Sequence, residues 1–289
     1  MNRAPGNRKK VALVIGSGGI KCIAALGIWK VLQEAQIPVD MVIGCSGGSV
    51  VGANIALGYP TEKLVQSAAQ LWTSDITRKI DVASLWGILN LKRRNFNPQI
   101  GIFDDTVMSR NITRAIGERT TFADTLLPFF CMATDFHTGE AVVLSHGPLA
   151  RAVRISSGIP VIFKPIEWEG QLLIDGGLSN PLPIDVAILQ GADIIIAVGF
   201  ETPVQPSVAT PANYAMQMFN ILVNQLLARS FAFYNLAHHS EIVMIIPEFL
   251  EGIRVNEVSK IPFIIQQGEN EARKQIAYIK ELLVNSSTS

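Results

Sequence analysis

Short apolar runs alternate along the chain with longer amphipathic stretches. Val11–Ile15 is a continuous apolar run that predicts a buried strand, and a helical pattern follows it from about Lys21 to Gln36. Met41-Val42-Ile43 repeats the strand signal and leads through Gly44–Gly48 into a small-residue helix ending near Leu57. Further strands are predicted at Pro128–Thr134, Ala141–Leu144, Gln171–Ile174, Asp193–Gly199 and Ile242–Ile246. Helical periodicity is read over Asp104–Ile116, Leu149–Ser156, Ile184–Gln190, Asn213–Leu236 and Pro262–Val284. Such alternation predicts an α/β fold whose mainly parallel sheet is covered on both faces. Only Glu140–Ser145, after the turn His137-Thr138-Gly139, is expected to run antiparallel.

Composition narrows the picture. With 48% hydrophobic and 17% charged residues in 289, the chain is too apolar for disorder. Its 24 basic and 24 acidic residues balance, which argues against broad binding of nucleic acid. The three cysteines, Cys22, Cys45 and Cys131, are widely spaced and form neither a disulfide framework nor a metal signature. No metal or cofactor is expected, and a reducing, cytoplasmic setting is. The apolar run after Arg8-Lys9-Lys10 is broken by Gly16-Ser17-Gly18-Gly19 after five residues, too short for a secretory core of about 7–15. The proline-rich stretch 201–211 divides the chain into a main domain, 11–200, and a C-terminal part, 201–289, packed on the same domain. Between Ser84 and Phe103, Trp86, Leu89, Phe96 and Ile100 mix with Lys92-Arg93-Arg94, a pattern for peripheral membrane contact or for an ordinary basic surface segment.

The chemistry concentrates in three turns. Gly44-Cys45-Ser46-Gly47-Gly48 is a G-x-S-x-G sequence between a predicted strand and a predicted helix. That context is where a nucleophilic serine stands on a sharp turn, with Gly44 and Gly48 letting strand and helix approach. Gly16-Ser17-Gly18-Gly19-Ile20-Lys21 follows the first strand and can turn its amides toward an anion. One use is a dinucleotide fingerprint, but Lys21 holds the third glycine position and Asp40 precedes the second strand instead of ending it. The other use, which we prefer, is an oxyanion hole serving Ser46. For the base, His137, His146, His238 and His239 sit in turns, loops or at a helix end, whereas Asp175 ends a strand before Gly176-Gly177. A partly desolvated carboxylate bonded to the serine can take its proton.

Together these motifs resemble the patatin-like phospholipases, especially the small bacterial members, from about Val11 to Phe200. Secondary matches are Ala133–Glu140, Ser156-Ser157-Gly158-Ile159-Pro160 and Asn180-Pro181-Leu182-Pro183. The resemblance implies a three-layer α/β/α sandwich and a Ser–Asp dyad without histidine. Ser46 would be the nucleophile and Asp175 the base; Gly18, Gly19 and Ile20 would be oxyanion donors beside Lys21. Where the family commonly has glycine after the basic residue, this chain has Cys22, which either narrows the site or packs as a small apolar residue. The malonyl-transferring acyltransferases share such an elbow but usually place histidine before the serine, where Cys45 stands here. The resulting expectation is a serine esterase acting on acyl esters of phospholipids, lysophospholipids or related lipids. A catalytically silent lipid-binding member and a dinucleotide-dependent oxidoreductase are the alternatives.

Overall fold

A computed structural model describes residues 8–77, 79–82, 98–201, 208–237, 241–249, 253 and 257–284, the side chains of 74, 77 and 231–237 excepted. Most of the basic-apolar segment, His238-His239, most of the proline-rich connector and the C-terminal 285–289 lie outside the described residues.

Among the described residues, eight strands form one sheet: β1 (Val11–Ile15), β2 (Met41–Cys45), β3 (Phe129–Asp135), β4 (Ala141–Leu144), β5 (Ile166–Trp168), β6 (Gln171–Asp175), β7 (Ile194–Val198) and β8 (Glu241–Ile245). The described α-helices are α1 (Ala24–Glu34), α2 (Gly47–Ala56), α3 (Thr61–Leu71), α4 (Thr106–Ile116), α5 (Leu149–Ser156), α6 (Ile184–Leu189), α7 (Pro211–Ala237) and α8 (Ile261–Val284). Strands β3, β2, β1, β7 and β8 are neighbours in that order and all parallel.

Alternate residues of β1 enter different cores. Val11, Leu13 and Ile15 pack with α1, α2 and α8, while Ala12 and Val14 pack with Leu182, Ile184 and Phe219 toward α6 and α7. Both faces are therefore apolar, which is why the strands read as unbroken hydrophobic runs. The result is the expected three-layer α/β/α sandwich. The C-terminal part packs on the same frame: α7 buries Phe219, Val223 and Leu227 in the core on the α6 side. Strand β8 pairs with β7, and α8 crosses α1 so closely that a β-carbon on Gly27 would lie 2.1 Å from the Ile265 carbonyl oxygen.

Strand direction departs from expectation at one end. Not only β4 but also β6 pairs antiparallel with β3, and β5 pairs antiparallel with β6. The unanticipated β5 is three residues long and joins β6 through Glu169-Gly170, whose φ values of 51° and 81° are those of a left-handed hairpin loop.

The antiparallel pairing brings two strand ends together. Residues Phe129–Met132 of β3 pair with β2, and Ala133–Asp135 pair with β6. Because β4 occupies the other edge of β3 across Cys131–Thr134, β2 and β6 share one edge and approach head to head. Cys45 is opposite Met132 and Asp175 is opposite Ala133, so the two chain ends stop at consecutive residues of β3.

Candidate active site

Ser46 follows β2 directly and adopts φ 54°, ψ −125° before α2 begins at Gly47. A left-handed φ is uncommon for a residue with a side chain and marks a strained turn. Main-chain bonds hold it. The Ser46 amide donates to Ser156 Oγ at 3.0 Å, and its carbonyl accepts from Ser49 Oγ at 2.6 Å, Ser49 N at 2.9 Å and Ser157 Oγ at 3.2 Å. The turn closes because α2 lies almost against β1. A β-carbon on Gly48 would lie 2.2 Å from the Ile15 carbonyl oxygen, and one on Gly44 would meet the Ser49 backbone.

Across the gap between the strand ends, Ser46 Oγ donates to Asp175 Oδ2 at 2.8 Å. The other carboxylate oxygen, Oδ1, accepts from the Gly177 amide at 2.8 Å. Asp175 is fully buried; its carbonyl accepts from Thr134 Oγ1 and its amide donates to the Gly158 carbonyl. Gly176 packs on the Met132 backbone, which fixes the turn after β6. Burial pushes the Asp175 carboxyl up to about 7, against the opposing pull of the Gly177 amide, the Ser46 hydroxyl and the Arg154 charge. The group thus sits where a proton can be gained and lost near neutrality.

The glycine loop lies between these two turns. Gly16 donates its amide to the Val198 carbonyl and Ser17 donates to the Pro181 carbonyl, pinning the loop to the ends of the neighbouring segments. Gly19 has φ +57° with open space where a side chain would point, and its carbonyl lies where a β-carbon on Gly47 would collide at 2.5 Å. On the loop's other flank, Ser17 Oγ is beside Gly177. Among the described residues, the amides of Gly18 and Gly19 have no acceptor. Ile20 and Lys21 are buried in the following turn of 3-10 helix, and Lys21 Nζ donates to the Glu201 carbonyl at 2.6 Å. Burial lowers the Lys21 ammonium to about 8. Cys22 is in the core with its thiol on the Gly16 carbonyl, so it fills space behind the loop, away from solvent.

Other sequence candidates fall elsewhere. Asp40 accepts from the Val11 amide at 2.8 Å and pairs with Arg8 at the opposite, N-terminal end of β1, out of reach of the glycine loop. His137 is exposed after β3, and His146 pairs with Glu169. No group of three or more metal-ligating side chains occurs among the described residues. None of the described helices is long and apolar enough to cross a membrane.

Arg154 was not anticipated. The residue is 3% exposed; its guanidinium pairs with Asp105 at 2.7 Å, and Nε and Nη1 have no hydrogen-bond partner among the described residues. In the sequence it is one basic residue in an amphipathic helix, and nothing local marks it as buried.

Comparison with known proteins bears on the fold and the family. The crystal structure of VipD from Legionella pneumophila superposes with TM-score 0.54 at 14% identity, covering 94% of this chain and 67% of that one, a likeness of fold. Human patatin-like phospholipase domain-containing protein 6 is 33% identical over 190 residues, covering 65% of this chain and 13% of that protein. An uncharacterized NTE family protein of Mycobacterium tuberculosis (strain ATCC 25618 / H37Rv) is 33% identical over 190 residues, covering 65% of this chain and 48% of its own length. The chain thus matches about an eighth of the human relative and about half of the mycobacterial one. The patatin-like phospholipase family model matches residues 13–188, well over half the chain: this protein belongs to the patatin-like phospholipase family.

Proposed function

We propose that the protein is a serine esterase that hydrolyses acyl ester bonds of phospholipids, lysophospholipids or related lipids through Ser46 and Asp175. The observation that carries this reading is the 2.8 Å bond from the Ser46 hydroxyl to a buried carboxylate, made at a strained strand-to-helix turn. In the first half-reaction Ser46 Oγ attacks the ester carbonyl carbon while its proton passes to Asp175 Oδ2. The negative oxygen is received by the amides of Gly18 and Gly19, with Ile20 next to them, and the N-terminus of α2 adds its positive dipole end. Collapse expels the alcohol, which takes the proton from Asp175 and leaves an acyl-serine. Water then attacks this ester, Asp175 accepts its proton, and release of the carboxylic acid returns a proton to Ser46.

Lys21 supports the oxyanion loop from behind by tying it to the Glu201 carbonyl. The buried thiols suit a reducing, cytoplasmic setting. Contact with the inner membrane surface is the finer part of the proposal. Ile80, Val82 and Val161 are exposed, and the bridges Ile80–Phe103 and Gly101–Val161 gather them near the base of the basic-apolar segment. The dinucleotide alternative loses support because Asp40 is engaged at the far end of β1.

Purified protein and its Ser46→Ala form, assayed on a panel of acyl esters that varies headgroup and chain length, test the proposal. Hydrolysis of lipid esters by the first and none above background by the second is the expected result. Equal rates from both would remove Ser46 from the chemistry, and binding of lipid without turnover would favour the silent alternative.

A further inference from the structure

Ser156-Ser157-Gly158 ends α5, on a different element from either proposed catalytic residue, yet all three residues bond the main chain of that pair. Ser156 Oγ accepts from the Ser46 amide at 3.0 Å, Ser157 Oγ shares its one proton between the Val153 carbonyl at 2.9 Å and the Ser46 carbonyl at 3.2 Å, and the Gly158 carbonyl accepts from the Asp175 amide at 3.0 Å. Both hydroxyls are buried, Ser156 completely. One three-residue turn thus grips the strained peptide on both of its sides and the start of the acid's turn as well.

We propose that Ser156 and Ser157 are positioning residues that set the distance and angle between Ser46 Oγ and Asp175, Ser156 carrying most of the effect. The inference rests on the dyad reading above and deepens it. The strands alone do not fix the gap, because β2 and β6 meet end to end and share no ladder bond. Their separation depends on β3 beneath them and on whatever spans the two turns. The 156–158 turn makes that span. Left-handed backbone at Ser46 needs surroundings that overdetermine it, and among the described residues its amide has one acceptor, Ser156 Oγ. Its carbonyl, by contrast, has three donors, two of them from Ser49. The two serines should therefore differ in weight. Loss of Ser156 frees one side of the peptide entirely, whereas loss of Ser157 leaves two bonds in place.

The test compares Ser156→Ala, Ser156→Cys and Ser157→Ala by the rate constant for phosphonylation of Ser46 with a fluorophosphonate, and by kcat and KM per titrated site on an acyl ester. Cysteine fills nearly the same volume but accepts hydrogen bonds poorly, so it separates the bond from the packing. It also remains informative if the alanine form does not fold. Both Ser156 variants should lose roughly 10- to 100-fold in kcat and in phosphonylation rate with KM little changed, the size expected of a small misplacement at a reacting centre. Ser157→Ala should lose roughly threefold or less, in line with the bonds that remain. Wild-type rates in the folded Ser156→Cys protein would overturn the inference while leaving the dyad intact. A wild-type protein that is neither phosphonylated at Ser46 nor hydrolytic would overturn the dyad, and this inference with it.

Discussion

The hydroxyl of Ser46 and the carboxylate of Asp175 are 129 residues apart in sequence and 2.8 Å apart in space, because their strands stop at consecutive residues of β3. Parallel β2 brings the serine from one direction and antiparallel β6 brings the acid from the other. A one-residue slip of β6 along β3 would turn the Asp175 side chain to the opposite face of the sheet. The proximity is thus a property of register, which the whole β3–β6 pairing defends.

Activity should depend on pH through Asp175. Only the carboxylate can accept the serine proton, and burial places its titration at about 7. The plot of kcat/KM against pH is expected to rise about tenfold per unit below that value and to level off above it. A stopped assay on a soluble acyl ester from pH 5 to 9 measures it; a rate already flat at pH 5 would contradict it.

The same burial has an opposite consequence for stability. The folded carboxyl titrates at about 7 and the unfolded one at about 3.9, so the folded state holds its proton more tightly. The stability contribution is full below the unfolded value and is lost as pH rises through the folded one. Asp175→Asn removes the buried charge. It should raise Tm by several degrees at pH 8, raise it much less at pH 5, and lower kcat roughly 100- to 10,000-fold. Thermal melts at the two pH values together with single-turnover assays check both signs.

Arg154 acts on this equilibrium from inside the protein, since its positive charge favours the ionised form of Asp175. Arg154→Met should therefore move the rising limb of the rate profile to higher pH, losing more activity at pH 7 than at pH 9. An unchanged midpoint would confine Arg154 to its ion pair with Asp105.

Close approach of α2 to β1 makes Gly48 sensitive to any side chain. Gly48→Ala would put a methyl group against the Ile15 and Gly16 carbonyls and should cost at least about 1–3 kcal/mol, read from urea unfolding. A variant as stable as the parent would mean that the elbow yields more readily than its geometry implies.

Much of this arrangement was legible in the sequence, for local reasons. β1 and the Met41–Ile43 start of β2 are unbroken apolar runs, each followed at once by glycine, and both turns are where that pattern predicts. The residues proposed as the dyad stand out in the sequence because each lies beside glycine where a predicted strand gives way to a turn. Strand direction was less legible: Gln171–Asp175 looks the same whichever way it runs, since a period of two carries no polarity. Its hairpin partner β5 has only three residues, and the Glu169-Gly170 loop is a weaker turn signal than Asn-Gly. Helix α3 was also missed, although Leu64, Ala68 and Leu71 have helical spacing, because the stretch carries little net hydrophobicity and its start at Pro60 lacks a side-chain cap. Arg154 and the serines after it reach the candidate site through long-range contacts, which no local pattern encodes.

The most direct test of the Ser46–Asp175 pairing is covalent. Protein incubated with a fluorophosphonate, digested and read by mass spectrometry should carry the adduct on Ser46. The rate should be much reduced in Asp175→Asn and labelling should be absent in Ser46→Ala. Labelling of another residue, or an Asp175→Asn protein that reacts as fast as the parent, would contradict the account.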